Sequence, residues 1–179
     1  MTKKLPQKFY NQKTIEVAKK LIGKFLVRKM GKKIIIGQIT ETEAYCGLKD
    51  LASHASRGQT PRTKIMFGQP GYWYVYLIYG MYYCLNIVTE EKDKPGAVLI
   101  RSVKPMIGWP ENIKTDGPGK LCRAFKITKK ENGARGFGTT DLLIEDWNAK
   151  IPKIKSAPRI GVDYAKEYKD KKWRFYIED

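Results

Sequence analysis

Apolar residues recur along the chain at two spacings, and the switches between them outline the elements. Near the N-terminus Ile15, Ala18 and Leu21/Ile22 keep the spacing of one helix face, with Asn11 as candidate N-cap and Gly23 as the stop. Lys24 to Lys29 (K-F-L-V-R-K) then reads as a strand, and a turn at Met30-Gly31 leads into a second strand, Lys33 to Thr40. Val98 to Val103, Asp141 to Glu145 and Arg174 to Ile177 carry the same pattern. A short helix is expected at Lys120 to Phe125, after the turn Asp116-Gly117-Pro118-Gly119. Strands outnumber helices and fall in adjacent runs. That predicts an α+β fold with a mixed, largely antiparallel sheet, not a doubly wound one. No repeat, low-complexity stretch or linker divides the chain, so a single domain over 1–179 is the expectation.

Ile65 to Thr89 departs from everything around it. It holds no charged residue and eight aromatics: Phe67, Tyr72, Trp73, Tyr74, Tyr76, Tyr79, Tyr82 and Tyr83. Its length invites a membrane reading, but Gly68, Pro70, Gly71, Gly80, Asn86 and the many tyrosines argue against a spanning helix. Tyr72, Tyr74 and Tyr76 alternate with Trp73, Val75 and Leu77, the period of a strand. Tyr79-Gly80 falls where a two-residue hairpin turn belongs, with Met81 to Val88 as the return strand. A tyrosine at such an apex is unusual, since loop tips carry small polar residues. Two readings stand. Tyrosine-rich strands pack well, and most such stretches are plain core. Alternatively the rings wall a pocket in which a planar base stacks, with Tyr79 as a wedge entering the duplex. Each base–aromatic stack contributes roughly 1–3 kcal/mol. That is comparable with the few kcal/mol that unstacking costs, so such a pocket could hold a flipped base.

Charge points to the partner class. Thirty-five Lys and Arg against eighteen Asp and Glu give a net charge of +17 over 179 residues. The excess is uneven: Met1 to Lys33 holds eleven basic residues against one acid, Glu16. A field of this sign favours polyanions, though a solvated lysine-rich surface is the bland alternative. Cys46, Cys84 and Cys122 are odd in number and lack C-x-x-C spacing; Cys84 and Cys122 read as small buried thiols in a reducing compartment. The first residues hold no apolar stretch of signal-peptide length. The single histidine, His54, rules out a multi-histidine metal site.

Candidate chemistry gathers on few residues. Strand alternation puts Glu41, Glu43 and Tyr45 on one face and Thr42 and Ala44 on the other. An exposed acidic strand end is the ordinary reading. In a chain this basic, however, a carboxylate beside a polyanion's site needs a reason, and hydrolysis of an N-glycosidic bond supplies one. The departing base leaves an oxocarbenium-like sugar; a carboxylate can deprotonate the attacking water and offset that charge. His54 could stack, donate a hydrogen bond or lie at the surface. Arg62, in the turn Gln59-Thr60-Pro61-Arg62, suits phosphate and solvent equally. Gly117-Pro118-Gly119-Lys120 lacks the P-loop frame, yet could offer backbone N–H groups and Lys120 to a phosphate.

Six motifs stand together in order: E-T-E-A-Y at 41–45, Q-T-P-R at 59–62, Y-V-Y-L-I-Y-G-M-Y at 74–82, G-P-G-K-L-C at 117–122, R-I-G-V at 159–162 and R-F-Y at 174–176. In these the chain resembles the alkyladenine (3-methyladenine) DNA glycosylases, from about Phe9 to about Ile177. The resemblance implies a curved, mostly antiparallel sheet with flanking helices and a protruding β-hairpin, similar to the C-terminal domain of methionyl-tRNA formyltransferase. It implies a monofunctional base-excision-repair hydrolase. Such an enzyme flips 3-methyladenine, 7-methylguanine, hypoxanthine or ethenoadenine out of duplex DNA and leaves an abasic site. By this resemblance Glu43 is the general base, and Arg101 and the Ile160 carbonyl hold the water with it. Tyr45, His54 and Tyr76 wall the base pocket, Tyr74 steadies the histidine, and Asn86 crowds the 2-amino group of normal guanine. Tyr79 is the intercalating wedge, with Met66 nearby. No metal and no nucleotide cofactor is implied, and a monomer working on double-stranded DNA without a membrane is expected. Its place would be the cytoplasm, associated with the nucleoid, in a bacterium, or the nucleus in a eukaryote. The long basic N-terminal extension and the C-terminal tail of animal members are missing and Met106 to Thr115 is short, so contacts made by those parts are not expected. A non-catalytic RNA- or DNA-binding domain of the same fold explains the charge and the aromatics, but leaves Glu43, Arg101 and Asn86 without a role.

Overall fold

The computed structural model describes residues 3–178; Met1, Thr2 and Asp179, the ends of the expected 1–179 domain, lie outside the described residues. In chain order the elements are β1 (Lys3–Lys4), α1 (Gln7–Tyr10), α2 (Thr14–Leu21), β2 (Phe25–Met30), β3 (Lys33–Cys46), β4 (Trp73–Ile78) and β5 (Tyr82–Thr89). They continue with β6 (Gly96–Ile107), α3 (Pro118–Ala124), β7 (Leu142–Asp146), β8 (Lys155–Ala157) and β9 (Arg174–Tyr176). Short 3₁₀ turns at His54–Arg57 and Lys64–Phe67 punctuate the connection from β3 to β4. The strands form one open sheet in the order β1-β7-β2-β3-β6-β5-β4, and every pairing is antiparallel.

The sheet is organised on β3. Its first half pairs with β2 (Lys33 to Gln38), its second half with β9 (Glu41 to Glu43), and β6 runs along its other edge. A strand flanked along both edges has its backbone N–H and C=O groups satisfied in the ladder, so it can be buried. The expected strand Lys33 to Thr40 therefore extends through the acidic motif to Cys46, because β6 and β9 supply partners that local pattern does not reveal. Val98 to Val103 is likewise the middle of a longer strand, Gly96–Ile107.

Helix α2 forms as expected, but Asn11 is not its cap. The helix begins at Thr14 after Lys13, and the carboxylate of Glu90 accepts from the Thr14 backbone N–H (3.1 Å) and hydroxyl (2.5 Å). A charged acceptor from a distant loop thus replaces a local side-chain cap. Val17, Ala18 and Leu21 form the buried stripe. Gly23, at φ +81°, turns the chain into β2.

Hairpin β4–β5 is two-faced. Trp73 and Val75 join Leu85, Ile87, Val98, Ile100 and Leu21 in the main core. Tyr74 and Tyr76 project from the other face onto a second cluster with Ala55, Met66, Phe67, Val88 and Ala97. Plain core and pocket wall, the two readings of the aromatic run, are thus divided between its faces. The turn differs from expectation: ladder pairing resumes at Tyr82 opposite Ile78, leaving three residues, Tyr79-Gly80-Met81, at the tip. The Met81 N–H closes the turn on the Ile78 carbonyl (3.1 Å), and Tyr79 and Gly80 both adopt positive φ. Helix α3 packs nearby, and a Cβ on Gly119 would stand 2.9 Å from the Tyr82 ring, so only glycine allows this approach.

Trp73 is fully buried, and its Nε1–H donates to the Leu142 carbonyl at 3.1 Å. Trp73→Ala is expected to cost about 3–5 kcal/mol, read as a lower urea midpoint in equilibrium unfolding; an unchanged midpoint would contradict this placement of the core.

Candidate active site

One row of side chains crosses the sheet. Register sets Glu43 of β3 opposite Leu99 of β6, Leu99 opposite Asn86 of β5, and Asn86 opposite Tyr74 of β4. Directly paired residues share a face, so the four line one surface of the sheet. Thr42 and Ala44 point the other way, into the core, where the Thr42 hydroxyl donates to the Ala18 carbonyl (2.9 Å). The alternation expected for Glu41, Glu43 and Tyr45 therefore holds.

Glu43 is 0% exposed. Its Oε1 accepts the Ile160 backbone N–H (2.9 Å) and lies 3.4 Å from an Arg101 Nη1; its Oε2 accepts the Tyr45 hydroxyl (2.8 Å). Burial pushes the Glu43 carboxyl above its ordinary value, while Arg101, the Ile160 N–H and the Tyr45 hydroxyl pull it back, and Glu41 adds a smaller upward push. Arg101 also lies 3.3 Å from Glu41, and Arg174 of β9 donates to the same Glu41 oxygen (2.8 Å). The ladder between β3 and β6 shifts register on either side of Glu41, so Arg101 falls at an irregularity of β6. Bulges of this kind re-aim side chains beside active sites.

A cleft of about 400 Å³ opens over this face, lined by Glu43, Tyr45, His54, Arg62, Tyr76, Tyr79, Arg101 and Ile160 together with Cys84, Leu99 and Tyr164. Beneath it a narrow slot of about 20 Å³ is closed by Met66, Tyr74, Asn86 and Ala97. The slot is far too small for a purine, whereas the cleft is ample. His54 stands at the start of its 3₁₀ turn with its ring 4.6 Å from Tyr76, and its Nδ1 is 2.9 Å from the Tyr74 hydroxyl. Burial, with Arg62 and Arg57 nearby, lowers its pKa to about 4, so the imidazole is neutral at physiological pH. The Asn86 amide donates to the Tyr74 carbonyl (3.1 Å) and, at 3.4 Å, to that of Cys84, which fixes its orientation above the slot. The Arg62 guanidinium lies over the Tyr76 ring at 5.3 Å.

The structure thus gathers Glu43, Tyr45, His54, Tyr76, Arg101, Ile160, Arg62 and Tyr79 around one cleft, with Tyr74 and Asn86 in the slot beneath it. One residue stands elsewhere than expected. Met66 is 2% exposed in the pocket floor and cannot reach a duplex; the methionine at the hairpin tip is Met81, 65% exposed beside Tyr79 at 88%. The resemblance sets Met66 near the wedge, but the turn Lys64–Phe67 directs it inward. Lys120, on α3, is half-exposed outside the cleft and pairs with Asp116 just before that helix (3.0 Å). The reading also missed Tyr164 and the pair Arg159–Asp50. The latter joins residues 109 positions apart and leaves no local signal. Among the described residues no group of three or more His, Cys, Asp and Glu is arranged to hold a metal, and no helix is long and apolar enough to cross a membrane.

Comparison with known proteins identifies the family. Residues 8–179 match the family described as Methylpurine-DNA glycosylase. A protein of Methanocella arvoryzae, by name a 3-methyladenine DNA glycosylase, is 50% identical over 183 residues, covering 96% of this chain and 91% of the relative. Proteins of the same name from Legionella pneumophila (strain Lens) and Clostridium perfringens are 49% and 44% identical, with at least 96% of each chain covered. Residues 8–179 thus match one kind of enzyme, a hydrolase of N-glycosyl bonds in DNA. The chain belongs to the methylpurine-DNA glycosylase family.

Proposed function

We propose that the chain is a single monomeric domain that flips an alkylated or deaminated purine out of duplex DNA into the cleft and hydrolyses its N-glycosidic bond with Glu43 as general base. The observation that carries this reading is the Glu43 carboxylate, fully buried beneath an aromatic cleft in a chain of net charge +17. A carboxylate so costly to bury is tolerated where its charge does work.

In this reading the base enters between Tyr45 on one side and His54 with Tyr76 on the other. Methylated purines carry positive charge, and tyrosine faces attract a cation while the neutral imidazole does not repel it. The glycosidic electron pair leaves with the base, and a water attacks the oxocarbenium-like carbon. Glu43 takes the water's proton, and its negative charge offsets the positive sugar as the bond breaks. Arg101 favours the ionised form of the carboxylate against the effect of burial. A cationic methylpurine leaves as a neutral base, whereas hypoxanthine needs a proton from elsewhere. Asn86, fixed above the slot, meets the edge where normal guanine carries its 2-amino group. Tyr79 and Met81 project from the hairpin to fill the gap in the duplex, and Arg62 stands at the rim for a phosphate.

Glu43→Gln is expected to reduce release of free base from a duplex containing 3-methyladenine or hypoxanthine by roughly 10²–10⁴-fold while retaining lesion binding. Binding without release in the wild type as well would instead identify a non-catalytic binding domain, with or without the formyltransferase-like fold. Because burial raises the Glu43 carboxyl and only the ionised form can accept a proton, the single-turnover rate should fall on acidification above the ordinary carboxylate range. An acid limb at or below that range would contradict the assignment.

Tyr79→Ser should weaken lesion-DNA affinity by about one base–aromatic stack, roughly 1–3 kcal/mol in titration binding; equal affinity would remove the wedge. Asn86→Ser should raise excision of unmodified guanine relative to hypoxanthine in a competition assay, and unaltered discrimination would leave Asn86 without that role.

A further inference from the structure

Beside the groups that face the cleft lies a fully buried ion pair. Arg159 and Asp50 are both inaccessible to solvent, and the two guanidinium nitrogens donate to the two carboxylate oxygens at 2.6 and 2.8 Å. Such a pair seldom adds net stability over an apolar replacement, because desolvating both charges offsets their attraction. Its remaining contacts show what it organises.

Three segments meet on it. Arg159 donates to the carbonyl of Ala44 (2.9 Å), the residue between Glu43 and Tyr45, and to that of Tyr168 (3.2 Å). Asp50 accepts the N–H of Cys46 (2.9 Å), at the end of β3, and of Ala52 (3.1 Å), two residues before His54. The guanidinium carbon lies 4.8 Å from the Tyr45 ring centre and 5.0 Å from that of Trp173. The next peptide along, Ile160 N–H, is the one that donates to Glu43.

We propose that Arg159 and Asp50 are positioning residues for hydrolysis, clamping the end of β3, the segment leading to His54 and the Ile160 loop so that the Tyr45 hydroxyl and the Ile160 N–H stay aimed at Glu43. The inference rests on Glu43 being the base. It adds a second layer to that site: a pair that touches neither base nor water sets the geometry of groups that do.

The clamp makes a prediction that a structural role alone does not. Glu43 is faced by Arg101 from β6, by Glu41 and Tyr45 from β3, by Tyr76 from β4 and by Cys84 from β5, besides the Ile160 peptide. Loosening the Ile160 and Tyr45 donors leaves burial less opposed, so the carboxyl stays protonated to higher pH. The rate requires the ionised form, so its acid limb moves up.

The test measures single-turnover base release against pH for Arg159→Lys, which keeps the charge and loses the fork, and for Trp173→Leu, which keeps the ion pair and removes one ring beside it. Expected for Arg159→Lys is a rate on the order of 10–100-fold lower at neutral pH, an acid limb displaced upward, and lesion-DNA affinity little changed. Trp173→Leu should shift the limb the same way by less. If Arg159→Lys does not melt cooperatively, the shift or its absence in Trp173→Leu decides. A lower rate with an unmoved acid limb, or an unchanged rate, overturns the clamp. Release by Glu43→Gln at the wild-type rate would instead overturn the assignment of the base.

Discussion

Burial of the Glu43 carboxylate is the constraint on which the site depends. A lone ionised carboxylate removed from water is among the most costly groups a fold can hold, and it persists only with opposite charge and donors fixed around it. Here those partners come from three places in the chain: Arg101 from β6, Tyr45 from β3 itself and Ile160 from a C-terminal loop, which Arg159 ties to the Ala44 carbonyl. These three places lie far apart in sequence. The long central strand β3, with β2 and β9 along one edge and β6 along the other, is what brings them together.

The division of the sheet into two faces does the rest. One face carries the large core, anchored by Trp73, Leu85, Ile87 and Ile100. The opposite face carries a thin layer of tyrosines over a floor of Met66, Asn86 and Ala97. In the proposed reading, stability and recognition draw on alternate residues of the same strands. A substitution on one face leaves the other face's packing partners in place.

Period-2 patterning made the hairpin, the faces of β3 and most strands legible, because each of those signals lies within a few residues. Features that depend on distant partners were not. Helix α2 is capped by Glu90, so Asn11 looked like a better cap than it is. β3 extends past Thr40 because β6 and β9 pair with it. Arg101 stands at a register shift that no local pattern encodes. Met66 and Met81 are interchangeable by residue type, and only the turn after Thr63 and the three-residue hairpin tip separate floor from apex. Asp50 carries no local cue at all, since its meaning lies in Arg159.

Tyr79 sits at φ +50°, a backbone conformation that glycine and asparagine adopt readily and a bulky aromatic does not. The turn would be more comfortable with Asn-Gly, the pair most favoured where both central residues have positive φ. The hairpin thus carries local strain for the sake of a ring that stands clear of the surface. Any optimisation of this chain for heat resistance that scores turns by backbone preference would choose position 79 first. In the proposed reading it would yield a sturdier protein with a blunted probe.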